Sequence, residues 1–165
     1  MSIGKWKIPL FFLILSFFIY CAVWSDNVTS RYEPFCKALG KDVGVGRTTV
    51  EKDGYMYSVH KPPFLSFTGN LNISENFVVK ENRPAETYVD LCIWLRGISS
   101  YEMEVMLIEY EAGSSNGVAT QFMVDRHGNL LDDTSENRQL YEENRKKIEN
   151  IYRLSYEMWG IPELE

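Results

Sequence analysis

Few side chains in this chain could carry chemistry, and their spacing narrows the choice. The only histidines are His60 and His127. His127 lies in Asp125-Arg126-His127-Gly128-Asn129. Asp125 and His127 are two apart, so on a strand end they would share a face, and a carboxylate beside an imidazole is an acid/base couple of the hydrolase kind. The same residue types make tight turns, and no third polar partner stands beside them, so the turn is the preferred reading. His60 precedes Lys61-Pro62-Pro63 and reads as a strand end. Glu102, Glu104, Glu109 and Glu111 lie on one stretch, and paired carboxylates can run glycoside chemistry. Their alternation with Met103, Val105 and Leu107 reads instead as a solvated strand face. A zinc site needs three or four ligands at fixed spacing, which two distant histidines and two distant cysteines do not supply. Gly44-Val45-Gly46 resembles a phosphate loop only superficially, because Asp42 follows Lys41 where Ser or Thr is needed. No catalytic residue, metal or cofactor is therefore expected, and the chain reads as a non-enzyme.

The more informative group is Tyr88, Asp90 and Trp94. From Glu86 to Arg96, Thr87, Val89, Leu91, Ile93 and Leu95 fall on one face of a strand, and Tyr88, Asp90, Cys92 and Trp94 fall on the other. A C-terminal helix with one apolar stripe can cover only one face, and the aliphatic face matches it better. Tyr88, Asp90 and Trp94 would then face water or a partner, as aromatic interface anchors do. The competing expectation is that the stretch from Asp26 to Thr49 covers that second face as another core layer.

The elements that must position these residues follow from hydrophobic period and turn residues. Lys5 and Lys7 precede an uncharged apolar run from Ile8 to Trp24, 17 residues bounded by Trp6 at one end and Tyr20 and Trp24 at the other. The run suits a short membrane-spanning helix with aromatic belts; the same pattern also fits a signal peptide cleaved after Ser25 or, less well, a lipoprotein signal at Cys21. Residues 1–25 are thus an anchor or signal, 26–47 an irregular linker with room for a short helix near Tyr32 to Leu39, and 48–165 one domain. Strands are predicted over Tyr55–Val59, Phe64–Ile73, Glu86–Arg96, Tyr101–Glu111 and Val118–Asp125, joined by turns at Gly97–Ser100, Gly113–Gly117 and His127–Asn129. Short connections make this an antiparallel meander. Asp133 with Glu136 is predicted to cap a helix whose stripe holds Leu140, Ile148, Ile151, Tyr152, Ser155 and Trp159, and Gly160-Ile161-Pro162 ends it. The fold class is α+β: an N-terminal spanning or signal helix, about five strands, and one long C-terminal helix packed on the sheet.

Charge gives the compartment. Positive charge stays in the cytoplasm, so two lysines before the run place the remainder outside. That remainder holds 15 Lys and Arg against 23 Asp and Glu, a net −8. Such a domain is a poor nucleic-acid ligand, has little attraction for an anionic membrane, and suits a basic protein partner. Cys36 and Cys92 could form a disulfide in an oxidising compartment. Two Asn-x-Ser/Thr tripeptides, at Asn27 and Asn72, are near chance frequency and carry no weight. The expected localisation is a bacterial inner membrane, single pass, with the domain in the periplasm, or a secreted domain if the signal is cleaved. The expected function is a tethered protein-binding module, narrowly an immunity or inhibitor protein against an envelope-acting toxin. A small subunit of a secretion or conjugation machine is the first alternative, and a hydrolase using Asp125 and His127 the second.

Overall fold

The computed structural model describes residues 7–42, 46–64, 66–76, 86–96, 100–111 and 117–161. The basic start with Trp6, the Gly44-Val45 pair, most of the Gly97–Ser100 connection and the body of the Gly113–Gly117 turn lie outside them. The fold is α+β. A helix, α1 (Lys7–Ala38), leads into six strands and a second helix: β1 (Arg47–Lys52), β2 (Tyr55–His60), β3 (Gly69–Glu75), β4 (Glu86–Arg96), β5 (Ser100–Tyr110), β6 (Gly117–Val124) and α2 (Ser135–Trp159). Every strand pairs antiparallel with its chain neighbour, in the order β1-β2-β3-β4-β5-β6.

The first element corrects the expected irregular linker over 26–47. The helix that carries the apolar run does not stop at Asp26; it extends to Ala38, 32 residues in all and on the order of 48 Å long, through Pro34 on an exposed side. Its two halves differ. Leu10 to Ile19 are mostly exposed apolar side chains, and the helix is long and apolar enough to cross a membrane. Beyond Asp26, Val28, Tyr32, Cys36 and Leu39 recur at helical spacing and are buried against the sheet. Gly40, at φ 66°, ends the helix: its N–H bonds Lys37 O at 2.8 Å and the Lys41 N–H bonds Cys36 O at 3.1 Å, the two bonds of a Schellman cap. Gly40-Lys41 thus belongs to a helix end.

Six strands replace about five. The added one, β1, pairs with β2 through Asp53-Gly54, both at positive φ (52° and 81°), the backbone a two-residue hairpin requires. The strand predicted over Phe64–Ile73 is narrower: β3 begins at Gly69, and the stretch before it is a loop. Gly69 has no room for a side chain. A Cβ there would collide with His60 O and lie 2.6 Å from the Tyr32 hydroxyl, so the glycine lets α1 lie directly on β3.

Both helices cover the same face. Tyr57 and Val59 of β2, Leu71 and Ile73 of β3, Val89 to Leu95 of β4, Met103 to Leu107 of β5 and Phe122 and Val124 of β6 make one buried layer. Across it α2 runs from Tyr141, whose ring meets Phe122 edge-on at 6.1 Å, to Trp159, which meets Tyr57 at 6.0 Å. Ile148, Ile151, Tyr152 and Ser155 are its buried stripe. The cap of α2 is Thr134, whose side chain accepts a bond from Asn137 N at 3.1 Å; Asp133 instead pairs with Arg138, and the expected Asp133–Glu136 box does not form. Gly160, at φ 69°, closes the other end.

Candidate functional site

With both helices on one side, no helix among the described residues lies over the other side of the sheet. The register lays that open face out in rows, because residues paired across antiparallel strands share a face. One row is Arg47, His60, Asn70, Trp94 and Glu102. The next holds Ser58, Asn72, Cys92, Glu104 and Met123, and the third Met56, Ser74, Asp90, Met106 and Gln121. Tyr88 with Ile108, then Glu86 with Tyr110, complete the far end. Tyr88, Asp90, Cys92 and Trp94 are all half-buried, whereas their neighbours Val89, Leu91, Ile93 and Leu95 are at most 3% exposed. The alternation predicted for β4 holds, and the described residues from Asp26 to Thr49 pack their buried side chains on the other face, not over Tyr88 and Trp94.

The three site residues lie on one strand of this face but have different surroundings. The indole N–H of Trp94 donates to Glu104 Oε2 at 2.9 Å, which ties the ring to β5. Tyr88 stacks edge-on against Tyr110 at 5.7 Å and donates its hydroxyl to Glu86 at 2.8 Å. Lys147 of α2 reaches round the sheet to lie 5.9 Å from the Tyr88 ring and 3.5 Å from Glu75. Asp90 sits between these aromatics. Burial pushes its carboxyl up to about 6, against the pull of the Ser74 hydroxyl and with a further push from Glu75. A shallow hollow of about 180 Å³ opens beside it, lined by Met56, Ser74, Tyr88, Asp90, Ile108 and Tyr110. A half-buried carboxylate flanked by aromatic rings can receive a cation that brings its own apolar stem, such as an Arg or Lys side chain.

The possible Cys36–Cys92 disulfide is not formed. Both thiols are free, Cys36 under α1 on the covered face and Cys92 on the open face, so the sheet separates them. Cys92 accepts a bond from Asn70 Nδ2 at 3.2 Å, and burial pushes its thiol up to about 11, away from the reactive thiolate.

Asp125 and His127 are placed by a turn. The Asp125 carboxylate accepts bonds from the backbone N–H of His127 and of Asn129, both at 2.8 Å, and from Asn129 Nδ2 at 2.9 Å. Desolvation pushes its carboxyl up, but those bonds together with the nearby His127 outweigh it and hold the carboxyl below the usual range. Gly128, at φ 80°, and the Tyr152 hydroxyl, which donates to Asp125 O at 3.3 Å, complete the corner. Both carboxylate oxygens serve the turn, the arrangement that composition alone suggested. The four glutamates on β5 and just beyond do not act together: Glu102 and Glu104 face the open side, and Glu109 has the opposite parity. No cluster of three metal-ligating side chains occurs among the described residues.

Sequence reasoning left out Asn70 and read Glu104 only as part of a solvated strand face; these are the partners that hold Cys92 and Trp94. The signal was available. Once β4 and β5 are joined by a tight connection after Arg96, the register places Trp94 opposite Glu102 and one row from Glu104. Comparison with known protein families, curated proteins and solved structures finds no match to this chain.

Proposed function

We propose that the protein is a membrane-tethered, exported protein-binding module without catalysis, and that it binds through the open face carrying Tyr88, Asp90 and Trp94. One observation carries the reading: both helices cover the aliphatic face, leaving large amphipathic aromatics around a carboxylate on a sheet face with no helix over it among the described residues. Tyr and Trp in such settings are typical binding anchors, and the net charge of −8 favours a basic partner. The narrower reading is an inhibitor or immunity protein that blocks a basic site on an envelope-acting toxin. A retained anchor, in place of a cleaved signal, is supported by the helix that runs unbroken through Ser25 and by Trp24, whose indole N–H donates to Ser66 O at 2.6 Å. Cleavage after Ser25 would discard that contact.

Two experiments test the reading. Alkaline phosphatase fused behind Glu165 should be active, since it folds only after export; a well-expressed but inactive fusion rules out the orientation. For the interface, the genes flanking this one are examined, and cells carrying it are challenged with the product of any toxin-like gene found there. Trp94→Ala should weaken binding of that product about thirtyfold or more, roughly 2 kcal/mol, with an unchanged melting temperature. Full protection by Trp94→Ala together with Tyr88→Ala would sink the proposed face.

A further inference from the structure

The β2–β3 connection packs on the part of α1 that is built for lipid. Phe64 meets Phe17 edge-on at 6.4 Å and Trp24 at 5.3 Å, and Phe67 meets Tyr20 at 6.2 Å. All three helix residues belong to the apolar run. Phe64 keeps 52% of its surface exposed, and Pro63 beside it is exposed as well.

Length fixes where this contact sits. The run of 17 residues is on the order of 25 Å long as a helix, against about 30 Å of hydrocarbon. An anchor that short has nothing to spare, so its Trp24 end must lie at the membrane surface. Phe17 precedes Asp26 by nine residues, roughly 13 Å along the axis. A ring packed between Phe17 and Trp24 is therefore below the headgroups. We propose that the β2–β3 loop is a second membrane element: Phe64 inserts into the outer edge of the bilayer beside α1 and fixes the domain upright on its anchor.

The sorting of charge along the strands agrees. Arg47, Lys61, Arg96 and Arg126 lie at or just past the strand ends on the loop's side, while Glu51, Glu75, Glu86 and Glu109, with one cation, Lys52, lie towards the opposite end. On the loop's side Glu102 is paired with Arg96, and Asp125 is held in its turn. Cations thus mark the strand ends nearest the loop, although the domain as a whole is acidic. Cations and an aromatic at the interface are the pattern of a peripheral membrane contact.

This proposal rests on α1 being a membrane anchor, and the test separates the two. The photoreactive residue benzoylphenylalanine replaces Phe64, Phe18 or Val118, one at a time, in the full chain. The chain is reconstituted in vesicles of phosphatidylethanolamine and phosphatidylglycerol and irradiated. Phe18 is an exposed residue of the apolar run, and Val118 is exposed at the opposite end of the sheet. Phospholipid adducts are expected at positions 18 and 64, with the yield at 64 roughly tenfold or more above that at 118. Adducts at 18 but none at 64, or adducts from 64 to a second chain, overturn the inserted loop and leave the anchor standing. No lipid adduct at 18 overturns the anchor and the inserted loop together. Circular dichroism matching the unsubstituted chain confirms that each variant is folded.

Discussion

The two faces of the sheet share one backbone and interleave residue by residue, yet they have opposite fates. On β4 the side chains of Val89, Leu91, Ile93 and Leu95 are sealed on the helix-covered face, while Tyr88, Asp90, Cys92 and Trp94 lie on the other, where Lys147 of α2 reaches the Tyr88 ring. What separates them is uniformity. On β4 the covered face offers aliphatic side chains of similar height, onto which the stripes of α1 and α2 close, with only the Tyr32 hydroxyl and the Trp159 indole N–H of those stripes left buried without a hydrogen bond among the described residues. The other face mixes carboxylates, amides, a thiol and aromatic rings, and an apolar stripe laid there would leave several of them desolvated. Stability should therefore reside in one face and recognition in the other.

The sharpest way to break that comparison is a pair of substitutions one residue apart. Leu91→Ala should cost about 3 kcal/mol or more, because a fully buried leucine leaves a cavity that two packed helices cannot collapse into. Cys92→Ala, on the next residue, should cost under about 1 kcal/mol. Thermal unfolding of the detergent-solubilised chain, followed by circular dichroism, measures both. Equal losses would mean that the open face is as structural as the covered one.

The next effect has a sign set by pH. The carboxyl of Asp90 is raised from 3.8 to about 6 in the folded chain, so folding favours its protonated form. The native state is fully favoured below the unfolded value near 4 and loses that advantage as pH rises through 6. Asp90→Asn removes the cost of a buried charge. It should stabilise the domain by about 2–3 kcal/mol at pH 7.5 and by little at pH 3.5. A wild-type melting temperature that climbs between pH 4 and pH 7, with no gain from Asp90→Asn, would contradict this. If a partner supplies a cation to Asp90, the same substitution should weaken binding while it stabilises the free chain. Gain in one property with loss in the other marks a residue kept for recognition.

How far these features could be read from residues alone depends on how local their causes are. The alternation on β4 needs only its own eleven residues, and the helical stripe of α2 only its own turn spacing. Both were legible, as were the meander and the anchor-like run. Phe64 and Phe67 were read as strand because they are large and apolar; their partners are Phe17, Tyr20 and Trp24, forty or more positions earlier. The segment after Asp26 looked irregular because its charges and Pro34 obscure a buried stripe of only four residues. β1, with Arg, Thr, Glu and Lys in six residues, has almost no apolar signal of its own. Asp53-Gly54 was the sign of its hairpin. The Cys36–Cys92 pairing failed for a non-local reason, since sequence does not reveal that one thiol belongs to a helix over the far side of the sheet.

The smallest effect concerns how the cover is fastened. α2 begins at the open end of the β6 turn, where Thr134 is extended (φ −83°, ψ 159°) and its hydroxyl takes the N–H of Asn137. A first turn has four backbone N–H groups with no partner inside the helix, and a capping side chain satisfies one of them. Thr134→Ala should therefore cost about 1 kcal/mol, and Thr134→Ser or Thr134→Asp should recover most of it. Asp133 contacts Arg138 in water, where screening and side-chain entropy offset an ion pair, so Asp133→Ala should do less harm than Thr134→Ala. Adding salt should shrink the Asp133 effect and leave the Thr134 effect almost unchanged. The loss at Thr134 should also stay local to the cover. Hydrogen exchange should quicken in the first turn of α2, next to Tyr141 and the Asp125 corner, while the amides of β3 and β4 keep their protection. Exchange quickened equally across the whole sheet would show that the cap, and not the aliphatic layer beneath it, governs the fold.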